Sequence, residues 1–115
     1  MFEIRFSEKP IQITTAGVAP DEHILDVGLQ SSTLTLVARC VSIVENAPGP
    51  ELWLSLQTCQ DLRSGKWFDL GSFNMLDKPD EYDKRDFTGV LRYIRWEAGL
   101  ANADSAHFEI FGVAR

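Results

Sequence analysis

The sequence is poor in the residues that build catalytic and metal centres. It has two cysteines, Cys40 and Cys59, and two histidines, His23 and His107. Neither a CxxC nor an HExxH spacing occurs, so a four-ligand zinc site has no support. Glycines such as Gly65, Gly71, Gly89 and Gly99 stand singly, without the GxGxxG or GxxxxGK spacing that cradles phosphate. No apolar run nears the roughly 20 residues of a membrane-spanning helix. The opening Met1-Phe2-Glu3-Ile4-Arg5-Phe6 alternates apolar and charged residues where a secretory leader would be continuously apolar. The expectation is a chain made without secretion, with no membrane partner. Basic residues are also few, 11 Lys and Arg against 17 Asp and Glu for a net charge of -6. The longest basic pair, Lys84-Arg85, is flanked by Asp83 and Asp86, so nucleic acid is not an expected partner.

Helical periodicity is missing as well. No stretch of about a dozen residues places apolar side chains every three to four positions, which removes βαβ units. Alternation takes its place. Phe2, Ile4 and Phe6 share one face of a first strand, Lys9-Pro10 interrupts it, and 11–14 resumes the pattern. A short strand is expected within 24–29, leading into a turn at Gln30-Ser31-Ser32. The segment 33–44 is the longest strand candidate, and its β-branched content argues against helix. Leu34, Leu36, Ala38 and Cys40 lie on one face of it, while Val41 and Ile43 lie on the other. That change of phase predicts a bulge or a strand buried on both sides.

Pro48-Gly49-Pro50 then breaks the chain. Leu52, Leu54 and Leu56 line one face of a strand over 51–58, opposite Trp53, Ser55 and Gln57, and 66–73 returns to make a hairpin with it. The charged stretch 74–89 reads as an exposed loop with a short helical turn after Lys78-Pro79. Strands over 90–96 and 105–113 follow, joined by a loop at 98–104. The whole is one domain, 1–115, of all-β class: an antiparallel β-sandwich, jelly-roll-like, with seven or eight strands. A chain of 115 residues with 44% hydrophobic side chains can bury a core of this kind without a staple. Cys40 and Cys59 are accordingly read as buried free thiols in preference to a disulfide.

Candidate chemistry is sparse. A Ser-His-Asp arrangement would have to combine His23 or His107 with Ser31, Ser42, Ser55 or Ser105 and a carboxylate such as Asp26, and no nucleophile elbow accompanies them. Small-hydrolase activity is therefore the third reading, and the protein is read as non-enzymatic. Asp77, Asp80, Glu81 and Asp83 offer the hard oxygen ligands that calcium takes, but they lack the EF-hand spacing and central glycine, so a solvated face is preferred. No cofactor is implied. Aromatic and arginine side chains give the better lead. Trp53, Trp67, Tyr93 and Trp96, with Arg92 and Arg95, are of the types that anchor protein interfaces or stack on a sugar ring, the alternative being that the sandwich buries the rings and arginine stems cover its rim.

The fragments Leu54-Ser55-Leu56-Gln57-Thr58, Gly65-Lys66-Trp67-Phe68-Asp69-Leu70-Gly71-Ser72-Phe73 and Leu91-Arg92-Tyr93-Ile94-Arg95-Trp96 carry a resemblance. Together with Ile24-Leu25-Asp26-Val27-Gly28, they resemble the layout of jelly-roll capsid cement or decoration proteins of tailed bacteriophages, over about residues 22–113. That resemblance implies a contact function. The sandwich would sit among capsid or tail subunits as a homo-oligomer, in the virion or the bacterial cytoplasm, and reach its neighbours through loops at 15–22, 45–51, 59–66, 74–89 and 98–104. The same fragments are also similar to discoidin-type carbohydrate-binding modules, whose "ARYIRL" strand Arg92-Tyr93-Ile94-Arg95-Trp96 matches. That likeness implies a glycan partner. Neither family supplies catalytic residues.

Overall fold

The computed structural model describes residues 2–28 and 32–115, so the expected turn at Gln30 and Ser31 lies outside the described residues. Alternating apolar positions build the four longest strands. β1 (Phe2–Arg5) and β2 (Ile11–Ile13) are one edge strand broken at Lys9-Pro10, where proline removes a ladder donor. Both pair with β10 (Ala103–Ala114), β1 beside residues 111–114 and β2 beside 106–108. A second broken edge, β3 (Gly17–Val18) and β4 (Leu25–Asp26), pairs with β9 (Tyr93–Ala101). A 3-10 turn, Asp21–His23, bridges that break.

The remaining strands are β5 (Thr33–Glu45), β6 (Glu51–Cys59), β7 (Phe68–Ser72) and β8 (Glu81–Thr88). All pairing is antiparallel. The first sheet runs β1/β2-β10-β5-β8, and the second runs β3/β4-β9-β6-β7. Counting each broken edge once gives eight strands among the described residues. The chain crosses between sheets at nearly every connection, and among the described residues β6–β7 is the one hairpin of full strands within a sheet. This is the two-Greek-key arrangement of a jelly roll.

The core lies between the sheets. Leu34, Leu36, Ala38 and Cys40 of β5 face Leu52, Leu54 and Leu56 of β6, with Ile94 and Trp96 from β9 and Phe108 and Ile110 from β10. Each large apolar side chain taken from water here contributes about 1.5–3 kcal/mol. The change of phase in β5 is a bulge. Ser42 pairs with His107 and Cys40 with Phe108, which leaves Val41 as the extra residue and returns Ile43 to the core. Both thiols are free and buried, and burial pushes each above the ordinary thiol range. An aromatic disulfide reagent is therefore expected to find no reactive thiol in the native protein at neutral pH and two per chain in denaturant.

One buried hydroxyl ties the sheet to a turn. Thr58 Oγ1 donates to the Tyr93 carbonyl at 2.9 Å and accepts the Leu91 N–H at 2.9 Å. Thr58→Val leaves both backbone groups unpartnered next to a methyl. Chemical denaturation is expected to show a loss of about 1–3 kcal/mol.

Three loop expectations are corrected. The charged stretch 74–89 contains β8, which pairs with β5 from Thr33↔Thr88 to Cys40↔Glu81. Its approach is also partly core, since Phe73 and Leu76 are buried and Leu76 exchanges backbone hydrogen bonds with Leu52. No helix follows Lys78-Pro79; the chain turns at Asp80, with φ 62°. Within 98–104, β9 continues to Ala101 and β10 begins at Ala103, so the connection shrinks to Asn102, at φ 57°. The 15–22 loop contains β3 and the 3-10 turn. The chain is thus shorter in loops than expected. β8 is a sheet edge carrying exposed Lys84, Arg85 and Asp86, charges that discourage pairing with another chain along that edge.

Candidate functional site on the outer face of the second sheet

Alternation along β9 sends Ile94, Trp96 and Ala98 into the core and Tyr93, Arg95, Glu97 and Gly99 to the outer face. Register then sets their neighbours. On β6, Gly99 lies opposite Trp53, Glu97 opposite Ser55 and Arg95 opposite Gln57. On β7, Ser72 lies beside Ser55 and Asp69 beside Gln57. The face therefore holds two depressions in line along β9.

The first has a volume of about 480 Å³, with Trp53 as its wall, Ser55, Ser72 and Glu97 as its polar floor, and Gly17 and Gly99 at its margins. Trp53 is 48% exposed. Its indole N–H donates to Glu51 Oε2 at 3.0 Å, which fixes the ring's edge. Gly99 keeps the space beside it open, since a Cβ there would lie 3.8 Å from Trp53 Cβ. Ser55 Oγ donates to Glu97 Oε1 at 3.4 Å, and Glu97 takes part in no ion pair among the described residues.

The second depression, of about 380 Å³, gathers Asp26, Leu62, Trp67, Tyr93 and Arg95. Its aromatic faces are already covered. The Arg95 guanidinium lies 4.2 Å from the Trp67 ring centre while its Nε donates to Gln57 Oε1 at 2.7 Å. Arg92 sits 5.2 Å from the centre of Tyr93 and pairs with Asp26 at 3.1 Å. The hydrogen bonds from Arg92, reinforced by the Gly28 N–H, hold the Asp26 carboxyl below its usual range. Among the described residues no cation or second ring stacks on Trp53, so it is the aromatic of this face with its ring open.

Of the six residues read as contact candidates, the fold brings Trp53, Trp67, Tyr93, Arg92 and Arg95 to this face. Trp96 is corrected. It is 3% exposed and packs edge-on against Phe108 with ring centres 5.2 Å apart, so it belongs to the core. Sequence reading missed Glu97, Gly99 and Ser72. Glu97 and Gly99 follow from Tyr93 by steps of two, whereas Ser72 depends on the β6–β7 register and left no local signal.

The other candidates are dispersed. Ser42 and His107 meet at 3.1 Å on the outer face of the first sheet. Among the described residues no carboxylate hydrogen-bonds to that ring, and neither residue lines a depression described above. His23 stands 6.0 Å from Trp96, Ser55 contacts a glutamate, Ser105 pairs across the sheet with Val44, and Ser31 lies outside the described residues. Three of the four calcium candidates have side-chain partners, and Asp77 engages Glu81 through its backbone N–H alone among the described residues. Asp80 binds Arg39, Asp83 takes the Asn74 N–H and Arg85, and Glu81 takes the Asp77 N–H. No group of three or more His, Cys, Asp or Glu residues placed to hold a metal occurs among the described residues. Compared with known proteins, the chain matches no family model and no curated protein in sequence, which leaves the geometry of the outer face as the guide to function.

Proposed function

We propose that this protein is a non-catalytic carbohydrate-binding module that receives a sugar on the outer face of its second sheet. The observation that carries this reading is the open ring of Trp53 standing over a floor of Ser55, Ser72 and Glu97. A pyranose has an apolar C–H face and a rim of hydroxyls. The indole takes the first, and the serine and carboxylate oxygens take the second. The six residue steps from Tyr93 to Gly99 span about 20 Å of extended strand, room for several linked sugar rings. The floor stands on paired strands, so little ordering remains to be done on binding.

Glycan-array screening followed by calorimetry tests the reading. Trp53→Ala is expected to weaken binding by about thirtyfold, the scale of an aromatic anchor. Trp67→Ala, whose ring Arg95 already covers, is expected to change it much less. An array with no bound glycan, or equal binding by wild type and Trp53→Ala, overturns the proposal.

A second reading rests on a different observation. Leu62 and Phe68, 45% and 57% exposed, flank Trp67 at the β6–β7 hairpin. Apolar and aromatic side chains so placed suit a protein anchor, and they support an accessory role on a phage shell through capsid or tail subunits. The loops that would reach neighbouring subunits are shorter than the sequence suggests, which weighs against that role. Co-sedimentation with capsids, lost on Phe68→Ser, would support it. A strict monomer at high micromolar concentration would count against self-association.

A further inference from the structure

We infer that the Trp53–Glu97 depression selects sugars bearing a free amine, namely 2-amino-2-deoxyhexose oligosaccharides, over neutral or acidic ones. The inference rests on the carbohydrate reading and adds a charge preference to it.

The depression combines negative charge with an open π face. Glu97 lies on its floor, half-buried and without an ion-pair partner among the described residues. Glu51 holds the indole N–H of Trp53 and so adds a second carboxylate beside the same ring. Arg95, two residues from Glu97 on the same face, is turned away, stacked on Trp67 and bonded to Gln57.

A protonated amine satisfies both features at once. It forms a charge-assisted hydrogen bond with the Glu97 carboxylate, and it is drawn to the Trp53 ring. The net charge of -6 works in the same direction by raising the local concentration of cations. A uronic or sialic acid would bring its carboxylate against Glu97 and Glu51. A neutral hexose keeps the hydroxyl contacts and the stacking but gains no ion pair. An N-acetyl group removes the charge and adds bulk.

Calorimetric titration with three soluble oligosaccharides of equal length separates the possibilities: oligomers of glucosamine, of N-acetylglucosamine and of glucose, at a pH where the glucosamine amine is protonated. The glucosamine oligomer is expected to bind wild type about tenfold more tightly than the other two, with the preference shrinking as salt is added. Glu97→Gln keeps the size and hydrogen-bonding capacity of the side chain. It is expected to reduce the amine preference, read within the variant as the ratio of glucosamine-oligomer to glucose-oligomer affinity, to less than about twofold; Glu97→Ser serves in its place if that variant fails to fold. Equal binding of all three oligomers by wild type, or an amine preference retained by both variants, overturns the inference and leaves the carbohydrate reading standing. Binding of none of the three overturns the inference, and the glycan array then decides the carbohydrate reading by itself.

Discussion

Gly112→Ala is expected to leave the protein unable to accumulate in its folded form. Gly112 lies in β10 between Leu36 of β5 and Ile4 of β1. A Cβ added there would come 2.0 Å from the Thr35 carbonyl oxygen and 2.9 Å from Leu36 Cα. Both atoms are backbone, so no side-chain rotation relieves the overlap. The central pair of the first sheet would have to part. Overpacking in a core commonly costs about 1–3 kcal/mol and occasionally more. Here a strand must move, so the loss is expected to reach about 4 kcal/mol or beyond, against a total stability of about 5–15 kcal/mol for a domain. The control is Gly17→Ala, where an added Cβ meets nothing within 4 Å. Soluble yield and urea midpoints of the two variants provide the measurement. A Gly112→Ala protein that unfolds at the same midpoint as Gly17→Ala would show that β10 accommodates the methyl and would sink the argument.

The same position shows where local reading ends. Nothing around Gly112 in sequence marks it as different from Gly99, because what crowds it is β5, more than 70 residues away along the chain. By contrast, the β5 bulge was half legible. Val41 and Ile43 shift phase relative to Leu34, Leu36 and Ala38, which fits either a bulge or burial on both faces, and the register with β10 decides for the bulge. β8 was illegible for a physical reason. It is an edge strand with one partner and one wet face, so Phe87 is its one buried apolar side chain, and the charges that protect the edge resemble those of a loop. The 98–104 segment misled in the opposite way. Ala98 packs in the core and Gly99 lies beside Trp53, both within the strand, and small residues in sequence imitate a turn.

The candidate site was half legible for related reasons. Its aromatic and arginine members stand out by type. Their orientation follows from parity: Tyr93 and Trp96 are three apart on one strand and must face opposite ways. Which aromatic keeps an open ring depends on Arg95 covering Trp67, a contact between separate segments, and on Arg92 covering its neighbour Tyr93. Glu97, the carboxylate proposed to give the face its charge preference, is identified by the absence of an ion-pair partner among the described residues, a property no single residue carries in the sequence.

Phe108→Ala is the second large effect, and it tests what holds the two sheets together. Phe108 is fully buried, placed on β10 opposite Cys40 of β5 and Ile11 of β2. Its ring meets Trp96, which comes from β9 in the other sheet, edge to face at 85°. The pair is therefore an aromatic link across the sandwich. Removing the ring takes away both its burial and the packing of the indole, and Phe→Ala changes in cores cost about 3–5 kcal/mol. Phe108→Leu keeps most of the apolar volume and is expected to lose about half as much. Urea unfolding followed by circular dichroism gives the stability, and tryptophan emission gives the cause. If the indole loses its neighbour, the native emission of Phe108→Ala shifts even where the far-ultraviolet spectrum does not, because Trp53 and Trp67 stand on the outer face and are untouched by the change. A loss below about 1 kcal/mol would mean that the surrounding leucines close over the cavity and that the sheets are joined by aliphatic packing rather than by this aromatic pair.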